Sequence, residues 1–145
     1  MTIVAQVLQV KGNTVWTIAP DATVYAALEL MAVKDVGALL VLEQNELVGI
    51  LSERDYARKV ILKGKFSKDT QVREIMTDVV FFVRPDQTIE ECMTLMTAKR
   101  VRHLPVIAQG KLVGVISIGD VVKSLISDQE LLIRDLENYI TGSRG

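Results

Sequence analysis

A single cysteine, Cys92, stands in the 145-residue chain, so no intramolecular disulfide and no thiol cluster for a metal can form. His103 is the only histidine, which makes a transition-metal site equally poor in ligands. Aromatic residues are 5% of the chain, too few to stack single-stranded nucleic acid. Charge of either sign is not in excess: 17 basic and 18 acidic residues leave a net −1, with no general attraction for a polyanion. No run approaches the roughly 18 apolar residues of a membrane span. The start, Met1-Thr2-Ile3-Val4-Ala5-Gln6, lacks the basic beginning and long apolar core of a signal peptide, so the expected compartment is the cytoplasm. About half of the residues are apolar (49%), enough for one compact domain or two small fused ones.

What the chain does have is a repeat. Gly49-Ile50-Leu51-Ser52-Glu53-Arg54-Asp55 returns 65 residues later as Gly114-Val115-Ile116-Ser117-Ile118-Gly119-Asp120, and the offset of 65 holds from Val15 to Ile61 without a gap. In each copy an apolar run ends in serine and a carboxylate follows three positions on. That order reads as a strand entering a helix, whose N-terminus offers unpaired N–H groups and partial positive charge to a phosphate.

The elements before each turn follow from pattern. Residues 2–11 read as a short amphipathic helix stopped by Gly12-Asn13. Val15–Ile18 reads as a strand ended by Pro20, and Asp21 as the cap of a helix burying Val24, Ala27, Leu28 and Met31. Val36–Leu42 and Leu47–Leu51 form a hairpin around Glu43–Glu46, and Ser52 starts a helix to about Leu62. The second copy repeats this with Val80–Val83, the Pro85-Asp86 stop and cap, a helix carrying Ile89, Cys92, Met93 and Met96, and a hairpin turning at Ala108–Lys111. Cys92 and the methionines fall on apolar faces and read as core. A strand, helix, hairpin and helix is too small a unit to close its own core, so the copies are expected to pack on each other. The chain divides into 1–62 (lead-in helix and first motif), a polar linker 63–70, 71–127 (second motif) and 128–145. Within the last part Asp128–Ile140 reads as a separate amphipathic helix, stopped by Gly142, whose apolar face packs on the module or on a partner.

With Gly-apolar-apolar-Ser-x-x-Asp closing each half, Glu74-Ile75-Met76-Thr77 as a helical lead-in and Arg102-His103-Leu104-Pro105-Val106, residues 2–127 resemble a pair of cystathionine β-synthase (CBS) domains, or Bateman module, here free-standing. The resemblance implies an α+β fold of tandem βαββα repeats packed through their small sheets. It also implies a homodimer that regulates an unidentified protein, and an adenine nucleotide held in clefts between the repeats. AMP is the first expectation, with ATP, ADP, NAD or S-adenosylmethionine as others. By the same resemblance serine meets phosphate, aspartate meets ribose, and adenine lies against Gly37-Ala38 and the segment from Thr17 to Pro20.

The copies differ where Gly37-Ala38 faces Arg102-His103. An arginine pairs with phosphate oxygens and a histidine donates to them, while small residues let a flat ring approach. The expected main site takes Ile18, Gly37 and Ala38 from the first half, and Arg102, His103, Ser117 and Asp120 from the second. A second, weaker site uses Ser52, Asp55 and Val83 with the Arg102-His103 region. Arg54, a cation in a first helical turn, either contacts phosphate or pairs with Glu53 or Asp55. Each feature has a plainer reading: both Ser-x-x-Asp turns have capping-box spacing, Arg102 suits a solvated surface and His103 a partly buried structural position. His103 and Ser117 form a nucleophile–base pair only by stretching; phosphate binding accounts for both, so an enzyme is not expected. The alternative function is a constitutive dimerisation and partner-docking module that needs no ligand.

Overall fold

The computed structural model describes residues 1–141. Its elements in chain order are α1 (Val4–Lys11), β1 (Thr17–Ile18), α2 (Val24–Lys34), β2 (Ala38–Glu43), β3 (Glu46–Ser52), α3 (Glu53–Tyr56), α4 (Val72–Ile75), α5 (Ile89–Lys99), β4 (His103–Ala108), β5 (Lys111–Ser117) and α6 (Ile118–Thr141). They form two compact units, one of residues 14–81 and one of residues 1–13 with 82 onward.

In the unit of residues 14–81, β1 pairs parallel to β2 and β2 antiparallel to β3. The β2–β3 hairpin turns through Gln44 and Asn45, both at positive φ (51° and 67°), the geometry that matches strand twist in a two-residue turn. The helices bury Val24, Ala27, Met31, Val60, Val72 and Ile75 against Leu39, Val41 and Leu51 of the sheet. The other unit repeats this with β4 and β5, a turn at Gln109-Gly110, and a core including Val4, Ile89, Cys92, Met96, Leu104, Val106, Ile116 and Val121. Cys92 is fully buried, and desolvation pushes its thiol up to about 11.

Several expected boundaries move, each for a physical reason. Thr23 and Thr88, not Asp21 and Asp86, cap α2 and α5; their side chains accept the N–H of Ala26 and Glu91, both at 3.1 Å. Asp21 lies inside the preceding turn, closed by the Ala22 N–H on the Ala19 carbonyl. The Val80–Val83 strand reduces to one bridge, Val83 to Val106. In the first copy the Leu40 N–H bonds the Trp16 carbonyl, whereas position 105 is a proline with no N–H to give. The helix expected from Ser52 to Leu62 is α3 followed by a widened turn over Ala57–Ile61, in which Leu62 N–H reaches the Ala57 carbonyl five residues back. Finally, the tail helix is not separate. With no glycine or proline between Asp120 and Thr141 the helix runs on through Ser127-Asp128 as the 24-residue α6. Gly142, its expected stop, lies outside the described residues.

The lead-in segments pack in a way that sequence order hides. α1 precedes the first copy but packs on the second: Ile3 bridges Thr88, and Ile89 N–H bonds the Thr2 carbonyl at 3.1 Å. α4 precedes the second copy but packs on the first: Gln71 bridges Thr23, and Val24 N–H bonds the Thr70 carbonyl at 2.8 Å. Thr70 is itself buried, so the end of the 63–70 segment is part of a core rather than a loose linker.

Candidate functional site

The two serine turns are capping boxes, made of the same bonds in both copies. Ser117 N–H and Oγ–H donate to Asp120 Oδ2 at 2.8 and 3.0 Å, and Asp120 N–H donates back to Ser117 Oγ at 3.2 Å. Ser52 and Asp55 do the same at 3.0, 3.1 and 3.1 Å. These bonds satisfy helix N–H groups that would otherwise lack partners. The plainer reading of the motif is therefore realised, and any ligand role is added to it.

Strand register places the asymmetric pairs beside these turns. His103 is the cross-strand partner of Ser117, and Ile118 N–H bonds the Arg102 carbonyl at 2.8 Å. In the other unit Ala38 partners Ser52, and Glu53 N–H bonds the Gly37 carbonyl at 3.1 Å. Each unit thus brings its own pair to its own turn: Arg102, His103, Ser117 and Asp120 in one; Gly37, Ala38, Ser52 and Asp55 in the other. Ile18 lies on β1 beside Val41, half-buried. Arg54 is exposed and, among the described residues, forms no salt bridge; Asp55 takes Lys59 instead. Val83 requires a correction. It is fully buried, its N–H bonds the Pro105 carbonyl and its C=O accepts from Ile107, so it has nothing to present to a ligand.

Sequence reasoning missed Lys11. Its Nζ lies 2.6 Å from Asp120 Oδ2 and 2.9 Å from the Val115 carbonyl oxygen. The cause is local. A Cβ on Gly114 would stand 2.8 Å from a Leu8 methyl, so β5 accepts α1 closely only because it carries glycine there. Lys11, one turn beyond Leu8 on the same face, then reaches the carboxylate. The first copy solves the same problem differently. A Cβ on Gly49 would meet Met76 Sδ at 2.7 Å and the Thr77 carbonyl at 3.0 Å, and Asp55 Oδ1 accepts from Thr77 Oγ1 at 3.3 Å and pairs with Lys59 at 3.2 Å. A lone lysine more than a hundred residues from its partner carries no motif. The repeated glycine was the available signal.

Electrostatics distinguish the Ser117 turn. Burial pushes the Asp120 carboxyl up, but the Lys11 ammonium and the Ser117 donors outweigh it and hold the group below its ordinary 3.8. His103 is pushed below 6.5, first by burial and then by the charges of Lys11 and Arg102, with Asp120 pulling the other way. At neutral pH it is an uncharged imidazole that offers one N–H among cations.

A pH dependence follows. For both groups the unfolded chain binds the proton more readily, so stability rises with pH. The His103 contribution is lost as pH falls below 6.5, and that of Asp120 as pH falls through its folded value below 3.8. Urea unfolding between pH 8 and pH 3 is expected to show both losses, and His103→Asn to remove the upper one. Equal stability at pH 8 and pH 5 in the parent protein would contradict the assignment.

No helix among the described residues is long and apolar enough to cross a membrane, and no group of three or more His, Cys, Asp or Glu is placed to hold a metal ion.

The βαββα order of each copy, with a capped serine turn at the end of each hairpin, is the architecture of a CBS repeat. The CBS domain family model matches residues 10–62 and 72–127, and the chain belongs to that family as a CBS-domain pair. It is similar to a putative signal-transduction protein with CBS domains from Burkholderia ambifaria, at 53% identity and TM-score 0.85 over 88% of this chain and 96% of that one. It is also 39% identical to the mitochondrial CBS domain-containing protein CBSX3 of Arabidopsis thaliana, over 97% of this chain and 73% of the relative. The CBS pair of protein MJ0100, in complex with 5′-methylthioadenosine and S-adenosyl-L-methionine, shares the fold at 20% identity and TM-score 0.78, over 88% of this chain and 98% of that one. Pairs of this family are regulatory rather than catalytic, and the fold supports a nucleotide-sensing role.

Proposed function

We propose that the protein senses an adenine nucleotide, AMP first, with ADP, ATP or NAD as the alternatives, and that the Ser117–Asp120 turn holds its ribose and phosphate. The observation that carries this reading is the charge around one turn and not the other. Lys11, Arg102 and His103 surround Ser117 and Asp120, whereas the equivalent edge of the first copy has Gly37 and Ala38. Asp120 Oδ2 takes all the bonds described above, which leaves Oδ1 to accept from a ribose hydroxyl. Arg102 and the His103 N–H supply phosphate donors, and Ser117 Oγ can turn from its carboxylate to join them. Gly37 and Ala38, with Ile18, offer a small-sided apolar surface suited to an adenine ring, and Arg54 is an exposed cation at its turn. Ser52 and Asp55 form the lesser candidate. The bound ligand changes the balance between arrangements of the module by as much as its affinity for them differs, and so signals to the regulated protein.

Calorimetry with AMP, ADP, ATP and NAD tests this directly. Binding is expected to weaken at least about tenfold in Asp120→Asn, roughly 1.4 kcal/mol, and to change little in Asp55→Asn. It is also expected to tighten as pH falls from 8 to 6.5, because phosphate favours the protonated form of His103. No heat with any of the four at millimolar concentration overturns the reading. So does binding that ignores Asp120→Asn.

A further inference from the structure

The second half of α6 carries an apolar stripe with a seven-residue period. Ile126, Ile133 and Ile140 recur at one position, Val122, Gln129 and Leu136 at the position three before each next isoleucine, and Leu125, Leu132 and Tyr139 flank them. Ile133 and Leu136 are 54% and 53% exposed, and Ile140 is 80% exposed, so α1–α5 and the hairpins leave the stripe uncovered. An amphipathic helix with such a face is stable when something covers it.

We infer that the stripe is an interface with a second copy of this chain, in which two α6 helices pack antiparallel about a two-fold axis near Leu131. Self-complementarity selects the occupant and its direction. Antiparallel pairing layers Ile126 on the second copy's Leu136, Ile133 on its Gln129 and Val122 on its Ile140. On one flank Leu132 meets its own copy and Leu125 meets Tyr139. On the other, Lys123 faces Glu137 twice, at the cost of one Glu130–Glu130 approach. Parallel pairing instead stacks Gln129 on Gln129, sets Glu130 and Glu137 beside Leu125 and Leu132, and leaves Lys123 without a carboxylate. From Val122 to Ile140 the contact runs about 28 Å at 1.5 Å per residue. It makes no use of the nucleotide reading.

Sedimentation equilibrium of the whole chain at micromolar concentration, without nucleotide, is expected to show a dimer. Ile133→Glu, at an exposed site, is expected to weaken association roughly a hundredfold or more, since each dimer would desolvate two carboxylates. Its melting at dilution should be unchanged. Direction is read by cysteine cross-linking, which is clean because the native Cys92 is buried. Leu132→Cys should oxidise to a covalent dimer and Gln129→Cys should not. A monomeric parent protein, association unaltered by Ile133→Glu, or cross-linking through Gln129→Cys alone would each overturn the inference.

Discussion

Replacing Asp120 with alanine is expected to cost about 2–3 kcal/mol of stability, since charged hydrogen bonds contribute about 1.5–3 kcal/mol and loss of one ion partner strands the other. Three consequences add. The Ser117 N–H and hydroxyl lose their acceptor, and α6 loses the acidic half of its cap. Lys11 loses the carboxylate 2.6 Å from its Nζ while remaining beside the Val115 carbonyl. The side chains of Lys11 and Asp120 are 31% and 22% exposed, so the pair is screened less than a surface bridge but is not a dry interior one. Hydrogen exchange separates these contributions. Amides of α1 should lose protection along with those of the first turn of α6, because Lys11 ties α1 to that turn. In Asp55→Ala, α1 should be unaffected. If α1 keeps its protection in Asp120→Ala, the ion pair does not anchor it. Lys11→Met should reproduce the loss in α1 but not at the α6 cap, at about 1 kcal/mol.

Gly49→Ala is expected to destabilise the protein by about 2–3 kcal/mol, at the upper end of ordinary overpacking, and Gly114→Ala by about 1 kcal/mol. Both glycines occupy the same place in the repeat, opposite Val41 and Val106, and in both a lead-in segment lies across them. The difference lies in what a new methyl would meet. At Gly114 the neighbours are Leu8 methyls at 2.8 and 2.9 Å, the free end of a side chain that can rotate away. At Gly49 the Thr77 carbonyl stands 3.0 Å away, and Thr77 is fixed to Ile50 by backbone bonds in both directions at 2.9 Å. Met76 Sδ, at 2.7 Å, closes the other side. Thermal unfolding of the two variants should show the larger fall for Gly49→Ala. Adding Leu8→Ala should reduce the cost of Gly114→Ala, the coupling expected of residues in contact. Equal losses at the two positions would mean that the lead-in segments yield equally, and would remove the distinction.

Periodicity, turn chemistry and the 65-residue repeat were enough to place both hairpins and the four repeat helices, because each depends on neighbours a few residues away. The Ser-x-x-Asp turns were legible for the same reason, since a capping box closes within four residues. His103 and Arg102 were placed beside Ser117 by hairpin register, which also follows from local turn geometry. Three things were not legible. Pro105 ended the second parallel pairing, an effect that depends on which N–H the partner strand needs. Val83 was expected at a site but is core, because alternation alone does not say which side of a single bridge faces inward. The exchange of lead-in segments, with Lys11 on Asp120, joins residues 109 apart and rests on close packing over a glycine. The sequence by itself therefore determined the repeat, its elements and the two capped turns, all products of short-range bonding. Only the tertiary structure decided which lead-in covers which copy and which cation meets each aspartate, because long-range contacts are selected by shape and burial that no local pattern encodes.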